Sequence, residues 1–540
     1  MHGINLLRLH NIKLLQSRKI KAMATPREKL AAALEVLHKL QENGTIAIKS
    51  QEIPTRQIRE TLIRNGFITE VSRGWYIPTM PDQRPGDTTP WYMSYWEYCA
   101  GYLQEKYGNQ WCISADQSVL RHSGNWTVPS QLIVKSPKAK NSLLSLPHNT
   151  SLFNLKGELP PSTLLTEERG IRMYNLAASL VSCSPGLFKH NAIDVRTALL
   201  MIRDASEILA ITLENGHSSI AGRLAGAFRN VGRERIADDI LKAMKTAQYD
   251  VREIDPFEDK LDVAFPRERS PYVVRLRMMW EDMRPTVVSL FPAMPGISAD
   301  HQTYLSKVEE IYVTDAYHSL SIERYRVTPE LIQRVRSGQW DKKGNEEDKR
   351  HRDAMAARGY WLAFQSVKQS IETILKGGNS GVTADRDHST WYQQLFAPSV
   401  EAELIKAQDL AGYRNHQVYI GGSKHVPLNV DAMRDAMPVL FELLEQEEEA
   451  SVRAVLGHFI FVFIHPYMDG NGRIGRFLMN VMLASGGYPW TVIPVESREE
   501  YMKALELASA EQDITMFAKF LAQLVHQALK GTPTAHLPGQ

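Results

Sequence analysis

HPYMDGNGRIGR, residues 465–476, gathers one histidine, one carboxylate, three glycines, one asparagine and two arginines into a single turn of chain. Upstream, SVRAVLGHFIFVFIH (451–465) is apolar nearly all round, which predicts a buried central helix. Pro466 disfavours helical geometry at His465, so the histidine is expected at the mouth of that helix. Downstream, GRIGRFLMNVMLASGG resumes helical periodicity through Phe477, Leu478, Val481 and Met482 and stops at Gly486-Gly487. The order is helix, glycine loop, helix N-terminus.

That order makes an anion site. Backbone N–H groups of a glycine-bracketed turn, aimed by the positive end of the next helix, bind phosphate. Arg473 and Arg476 are three apart, so both guanidinium groups can lean toward one ligand. Asp469 opposes a bare anion and makes sense only if a divalent cation bridges it to phosphate oxygens. His465 is the one group of the loop whose free-state pKa lies near neutrality, hence the natural general base. The pattern calls for a nucleoside triphosphate with Mg²⁺ and a hydroxyl to be deprotonated. A Walker loop, GxxxxGK[ST], is absent.

HPYMDGNGRIGR resembles the Fic signature, HxFx[DE]GNGRxxR, with Tyr467 where Phe is usual. The resemblance extends over about residues 260–530. It implies transfer of AMP from ATP to a Ser, Thr or Tyr hydroxyl of a target protein or of the chain itself. It also implies His465 as base, Asp469 as ligand of Mg²⁺ (Mn²⁺ being the alternative ion), and Gly470, Asn471 and Gly472 around the α-phosphate. Arg473 and Arg476 would hold the outer phosphates, Arg476 the γ. DLAGYRNHQVYIGGSKHVP (409–427) resembles the Fic flap, and its two arms, Val418, Tyr419, Ile420 and Lys424, His425, Val426, flank Gly421-Gly422 as in a hairpin. An exposed hairpin edge can pair with an extended target segment. REEYMKALELASAEQDITMFAKFL (498–521) resembles the Fic segment whose aromatic residue lines the adenine, here Tyr501, with Ser509 where many relatives have Asn. HSLSIERYRV (318–327), within an inhibitory helix expected over 315–327, resembles the Fic inhibitory motif [ST]xxxE[GN]. Ser319 and Glu323 match, and Arg324 stands where Gly or Asn is expected. A carboxylate on Arg476 would take the place of the γ-phosphate, and Ser319, at i and i+4 with Glu323 on a helix, would orient it.

The rest of the chain sets the frame. At 540 residues it calls for several domains. Net charge of +2 confines any nucleic-acid contact to a local patch. The three cysteines contain no CxxC pair, which points to a reduced, cytoplasmic compartment. No apolar run reaches membrane-spanning length. Residues 1–22 form a basic leader without the features of a cleavable signal, and Met23 is an alternative start. Residues 23–80 read as helix, short helix, helix and hairpin, a winged helix-turn-helix with Arg56 and Arg59 on one face of the second long helix and Arg64 and Arg73 nearby. DNA contact through these arginines and a protein-interaction module are both open on the same fold. Residues 81–170 read as a small α/β region resembling the AbiEi-type antitoxin and regulator family, 171–255 as a helical region ending in a linker, and 256–540 as the Fic domain. The expected fold is mainly α: an all-α Fic domain with a β-hairpin flap, preceded by the winged helix and the α/β region. The expected function is protein adenylyltransferase, restrained by Glu323, with ATP and a hydroxyl-bearing target protein as partners and a homo-oligomer compatible with them. The alternatives are a DNA-binding or toxin–antitoxin-like regulator and transfer of another phosphate-containing group.

Overall fold

The computed structural model describes residues 25–42, 45–82, 86–214, 216–259, 270–338, 352–410 and 412–539. The basic leader, 1–22, and the Asn43-Gly44 helix stop lie outside these. Helix α1 (Pro26–Glu42) starts at a reciprocal cap: Thr25 N–H donates to Glu28 Oε2 at 2.7 Å and Glu28 N–H to Thr25 Oγ1 at 3.3 Å. After β1 (Ile48–Lys49) come α2 (Arg56–Arg64), β2 (Ile68–Ser72) and β3 (Trp75–Pro78), the last two turning at Arg73-Gly74. The sheet order is β1-β3-β2, with Ile48 opposite Tyr76. Ala33, Leu37, Ile48, Leu62 and Ile68 form this unit's own small core. The short middle helix expected here is absent. Ile46 and Ala47 give their N–H groups to the Glu97 carboxylate at 2.8 and 3.2 Å, and Lys49 gives its own to Glu52. The distant Glu97 and the nearby Glu52 side chains thus satisfy N–H groups that a helix would have bonded to its own carbonyls.

Next follow α3 (Thr89–Tyr107), β4 (Cys112–Ile113), α4 (Ala115–His122), β5 (Gln131–Ser136), β6 (Ser142–Leu146) and β7 (Thr150–Lys156). The four-stranded sheet runs β4-β5-β7-β6, with β5 and β7 parallel. Trp91, Tyr95, Trp96 and Tyr98 of α3 pack edge to face into its core. A hairpin, β8 (Leu165–Glu168) and β9 (Ile171–Tyr174), straddles the boundary expected at 170, so the region ends after Tyr174.

Helices α5 (Leu176–Ser182), α6 (Leu187–His190), α7 (Ala192–Met201), α8 (Ser206–Thr212), α9 (Ser218–Asn230) and α10 (Glu234–Thr246) lead into α11 (Pro271–Leu290), α12 (His301–Ile322) and α13 (Pro329–Arg336). Then come α14 (Arg352–Leu375), α15 (Ser380–Glu401), α16 (Val430–Gln446), α17 (Ala450–Ile464), α18 (Asn471–Ala484), α19 (Arg498–Ala510) and α20 (Thr515–Leu529). Residues 171–255 and the helices after them share one apolar core, so the expected division at 255 separates two stretches of sequence and no hydrophobic interior. The stretch read as a linker lies along α9, where Gly222 and Gly226 let the carbonyls of Arg252 and Ile254 approach and Ile254 N–H reaches Gly222 O at 3.2 Å. No helix of the described residues is long and apolar enough to cross a membrane.

Asp194 of α7 ties three regions together. Fully buried, it accepts from Ser123 Oγ (2.6 Å) and Asn125 Nδ2 (3.1 Å) of the α/β region, and from Arg275 Nε (3.3 Å) and Gln512 Nε2 (2.6 Å) of the C-terminal half. Deleting one partner of such a buried pair strands the other charge. Asp194→Ala should therefore lose about 3–5 kcal/mol in chemical denaturation, and Asp194→Ala/Arg275→Met less than the two single losses added.

Candidate active site

Helix α17 is buried along almost its whole length and ends at His465, whose φ of +57° breaks the helix just before Pro466. The His465 Nδ1 lies 3.1 Å from Val462 O. A carbonyl only accepts, so Nδ1 carries the proton and Nε2 presents its lone pair. Burial pushes this imidazole down to about 4; the Val462 bond opposes that shift, the Arg414 charge adds to it, and Glu323 and Asp469 oppose it. The imidazole is therefore neutral throughout the physiological range.

Tyr467 plugs the loop into the core, stacked on Tyr392 at 3.9 Å between ring centroids, as expected for an aromatic at this position. Asn471 does not turn its side chain to a ligand. Its Oδ1 accepts from Tyr467 N–H (2.9 Å) and its Nδ2 donates to Tyr467 O (2.8 Å), so the amide braces the loop and leaves only backbone for a phosphate. Gly470, at φ +84°, is the N-cap of α18 and supplies no side-chain cap to the helix. Arg473 is 1% exposed and held between the Tyr325 and Phe396 rings, each 5.0 Å from the guanidinium carbon. Its Nε and Nη2 and the Nη1 of Arg476 are buried without a hydrogen-bond partner among the described residues. The Asp469 side chain, 60% exposed, stands 3.3 Å from Arg473 Nη2 and accepts from Gly470 N–H at 2.6 Å. Buried cationic donors thus converge on the uncapped start of α18, with an exposed carboxylate at the rim.

Glu323 fills that place. Arg476 Nη2 donates to Glu323 Oε1 at 2.8 Å, and the same oxygen sits where a side chain on Gly472 would have to go. Burial alone would pull the Arg476 guanidinium down, but Glu323 beside it more than offsets this and the net direction is up. Ser319 does not orient the glutamate, as its spacing had suggested. Its hydroxyl accepts from Arg476 Nε (2.9 Å) and its carbonyl from Arg476 Nη2 (3.0 Å), because the helix turns that hydroxyl to the arginine. Glu323 is the C-cap of α12, and Arg324 follows at φ +67°. Tyr325 N–H reaches back to Leu320 O and Arg324 N–H to Ser321 O, the two bonds of a Schellman ending. This explains why Gly or Asn is expected at 324: the turn requires a left-handed residue.

The geometry agrees with the comparisons. Residues 387–483 match the Fic/DOC family model, a span that takes in the flap, His465 and the whole loop. Through this region the chain is similar to the Fic/DOC family. Proteins named protein adenylyltransferase Fic are 39% identical over 254 residues in Drosophila grimshawi, covering 45% of this chain and 48% of that one. The Drosophila virilis protein is 39% identical over 121 residues, or 22% and 24%. The chain spans a quarter to a half of these relatives' length. A Caenorhabditis elegans Fic-1 fragment (aa134–508) superposes with a TM-score of 0.35 at 16% identity, covering 63% of this chain and 97% of the fragment, too loosely to argue from.

Other expected site residues of the Fic domain are placed differently. Tyr501 offers no ring face to a nucleotide: it is 1% exposed, packed against Phe517 and Phe520, with its hydroxyl 2.7 Å from His458 Nε2. The flap is no β-hairpin. It keeps the turn at Gly421-Gly422, closed by Ser423 N–H on Ile420 O, but its arms do not pair. Val128 N–H donates to Lys424 O (2.9 Å), the Glu506 carboxylate accepts from Lys424 N–H (2.9 Å), and Thr89 Oγ1 accepts from Gly422 N–H (3.0 Å). His425 and Val426 are buried, the His425 ring stacked 4.0 Å from Phe463 with Nε2 on Phe463 O, and burial pushes this imidazole down to about 3. Lys424 and His425 spend their N–H groups within the chain and Val426 is buried, so these three are structural; Val418, Tyr419 and Ile420 are partly exposed, with N–H groups that have no hydrogen-bond partner among the described residues.

Arg56, Arg59, Arg64 and Arg73 lie on α2 and the β2–β3 turn, apart from this site. Arg56 is paired with Glu60 at 2.6 Å and Arg59 lies over Tyr76, which leaves less free charge for a phosphate backbone than the sequence suggests. Sequence reasoning missed Arg414, whose donors hold the base's own carbonyl; GYRN gives no local sign of that. Arg324 is exposed and in the left-handed region, so Arg324→Gly should raise stability by about 1 kcal/mol, read as an upward shift of the unfolding midpoint.

Proposed function

We propose that the chain is a protein adenylyltransferase that moves AMP from ATP to a Ser, Thr or Tyr hydroxyl of a target protein or of itself, and that Glu323 restrains it. The observation that carries this reading is the carboxylate of Glu323 resting on Arg476 above Gly472, an anion of the chain's own in a place built for phosphate.

His465 Nε2 takes the proton of the target hydroxyl as its oxygen attacks the α-phosphorus. The new O–P bond forms as the bond from the α-phosphorus to the bridging oxygen breaks, and diphosphate leaves with that electron pair. The N–H groups at the start of α18 face the charge on the reacting phosphate. Arg473 and Arg476 bind the outer phosphates through the nitrogens that are now unpartnered. Asp469 fits a divalent cation: it is one exposed carboxylate at the rim, and no cluster of three His, Cys, Asp or Glu exists among the described residues. Mg²⁺ is held this way, by one or two carboxylates plus phosphate oxygens and water, with Mn²⁺ the alternative. When bound, such an ion offsets the negative charge of the phosphates. The target hydroxyl comes in along Val418–Ile420, whose free N–H groups can pair with an extended segment.

Two measurements test the reading. Incubated with Mg²⁺ and ATP and weighed intact, Glu323→Gly should gain AMP at least tenfold faster than the unaltered chain, and Glu323→Gly/His465→Ala should gain none. An unlabelled Glu323→Gly protein would refute the assignment. The second measurement is the pH dependence of kcat/KM. A histidine pushed to about 4 stays deprotonated on acidification past its ordinary 6.5, so activity should hold down to about pH 5 and fall below it. Glu323 raises the pKa of His465, so its removal in the assay variant moves this limb no higher.

A further inference from the structure

Arg414 lies outside every role assigned so far, yet it is among the most deeply buried charges of the chain. Its backbone N–H donates to Pro466 O at 2.9 Å, and its Nε donates to His465 O at 2.8 Å. Nη1 donates to His416 O at 2.9 Å, and Nη2 donates to Leu428 O. His416 and Leu428 are the roots of the two flap arms: one precedes Val418–Ile420 and the other follows Lys424–Val426. One planar fork therefore binds the carbonyl of the base and both ends of the flap.

The structure gives this guanidinium no ion-pair partner among the described residues, and burial lowers it to about 10. What compensates the charge is a ring of carbonyl dipoles, His465 O among them at the negative end of α17. A lysine could not replace it, because a single ammonium on a flexible stem cannot span three carbonyls in a fixed plane.

We propose that Arg414 is a positioning residue that couples the flap to the base: the geometry of His465 is set, through its own carbonyl, by where the flap arms stand. This rests on the adenylyltransferase reading for its kinetic consequence. A target segment pairing with Val418–Ile420 pulls on His416 O, and the fork passes that displacement to His465. Nucleotide binding, carried by the start of α18 and by Arg473 and Arg476, is not in this path.

The experiment compares Glu323→Gly with Glu323→Gly/Arg414→Lys and Glu323→Gly/Arg414→Met. For the Lys variant, kcat of self-modification should fall at least tenfold while the ATP Kd, by calorimetry, stays within twofold. Amide hydrogen exchange should accelerate together at 415–428 and at 465–467. Turnover within twofold of the parent, or ATP affinity falling in step with turnover, would overturn the proposal. Faster exchange in the flap alone would do the same. The Met variant serves as the gauge of folding: where it unfolds, the Lys variant, which keeps the charge, decides. A parent that binds ATP but never becomes labelled counts against the adenylyltransferase reading instead, and the exchange measurement still decides whether Arg414 joins flap to base.

Discussion

An uncapped helix start beside two buried guanidinium groups needs an anion, and much of this protein is arranged around that need. Gly470 provides no side-chain cap to α18, and Nε and Nη2 of Arg473 and Nη1 of Arg476 are buried without a hydrogen-bond partner among the described residues. Unpaired donors in a low-dielectric interior are costly, so the site stays intact only if negative charge is close by. Within the chain that charge is Glu323, delivered by a helix 153 residues earlier in sequence. The contact that completes the interior therefore also fills the site. On the proposed function, a nucleotide would offer a more highly charged anion to the same donors, and Glu323 would have to yield the place over Gly472.

The position of Glu323 depends on a backbone detail. Glu323 reaches Arg476 because α12 ends there, and α12 ends there because residue 324 turns left-handed. Arg324 holds that conformation without the freedom of glycine. The two Schellman bonds, with Tyr325 packed under Arg473, keep the turn formed despite this.

Much of the centre was legible in sequence because its chemistry is contiguous: base, carboxylate, glycines and arginines fall within one loop, and the loop dictates how they converge. The link from Glu323 to Arg476 was legible through a second short motif. What stayed hidden lies in partners far apart along the chain. Asn471 spends its amide on Tyr467, which spacing cannot show. The expected middle helix of the N-terminal unit gives way because Glu97, some fifty residues on, claims its N–H groups. The flap reads as a hairpin by its turn and alternation, but Val128 and Glu506 take the bonds its arms would have made with each other. Arg414 gave no signal at all, since a buried arginine bound to carbonyls looks like any other arginine.

The contact between Val128 and Lys424 has one more consequence. It joins the α/β region to the C-terminal half, and Tyr419 and Val426 lend their side chains to that region's core. The flap is consequently anchored from the N-terminal side, so a substitution that loosens the α/β core around Tyr419 and Val426 loosens the flap with it.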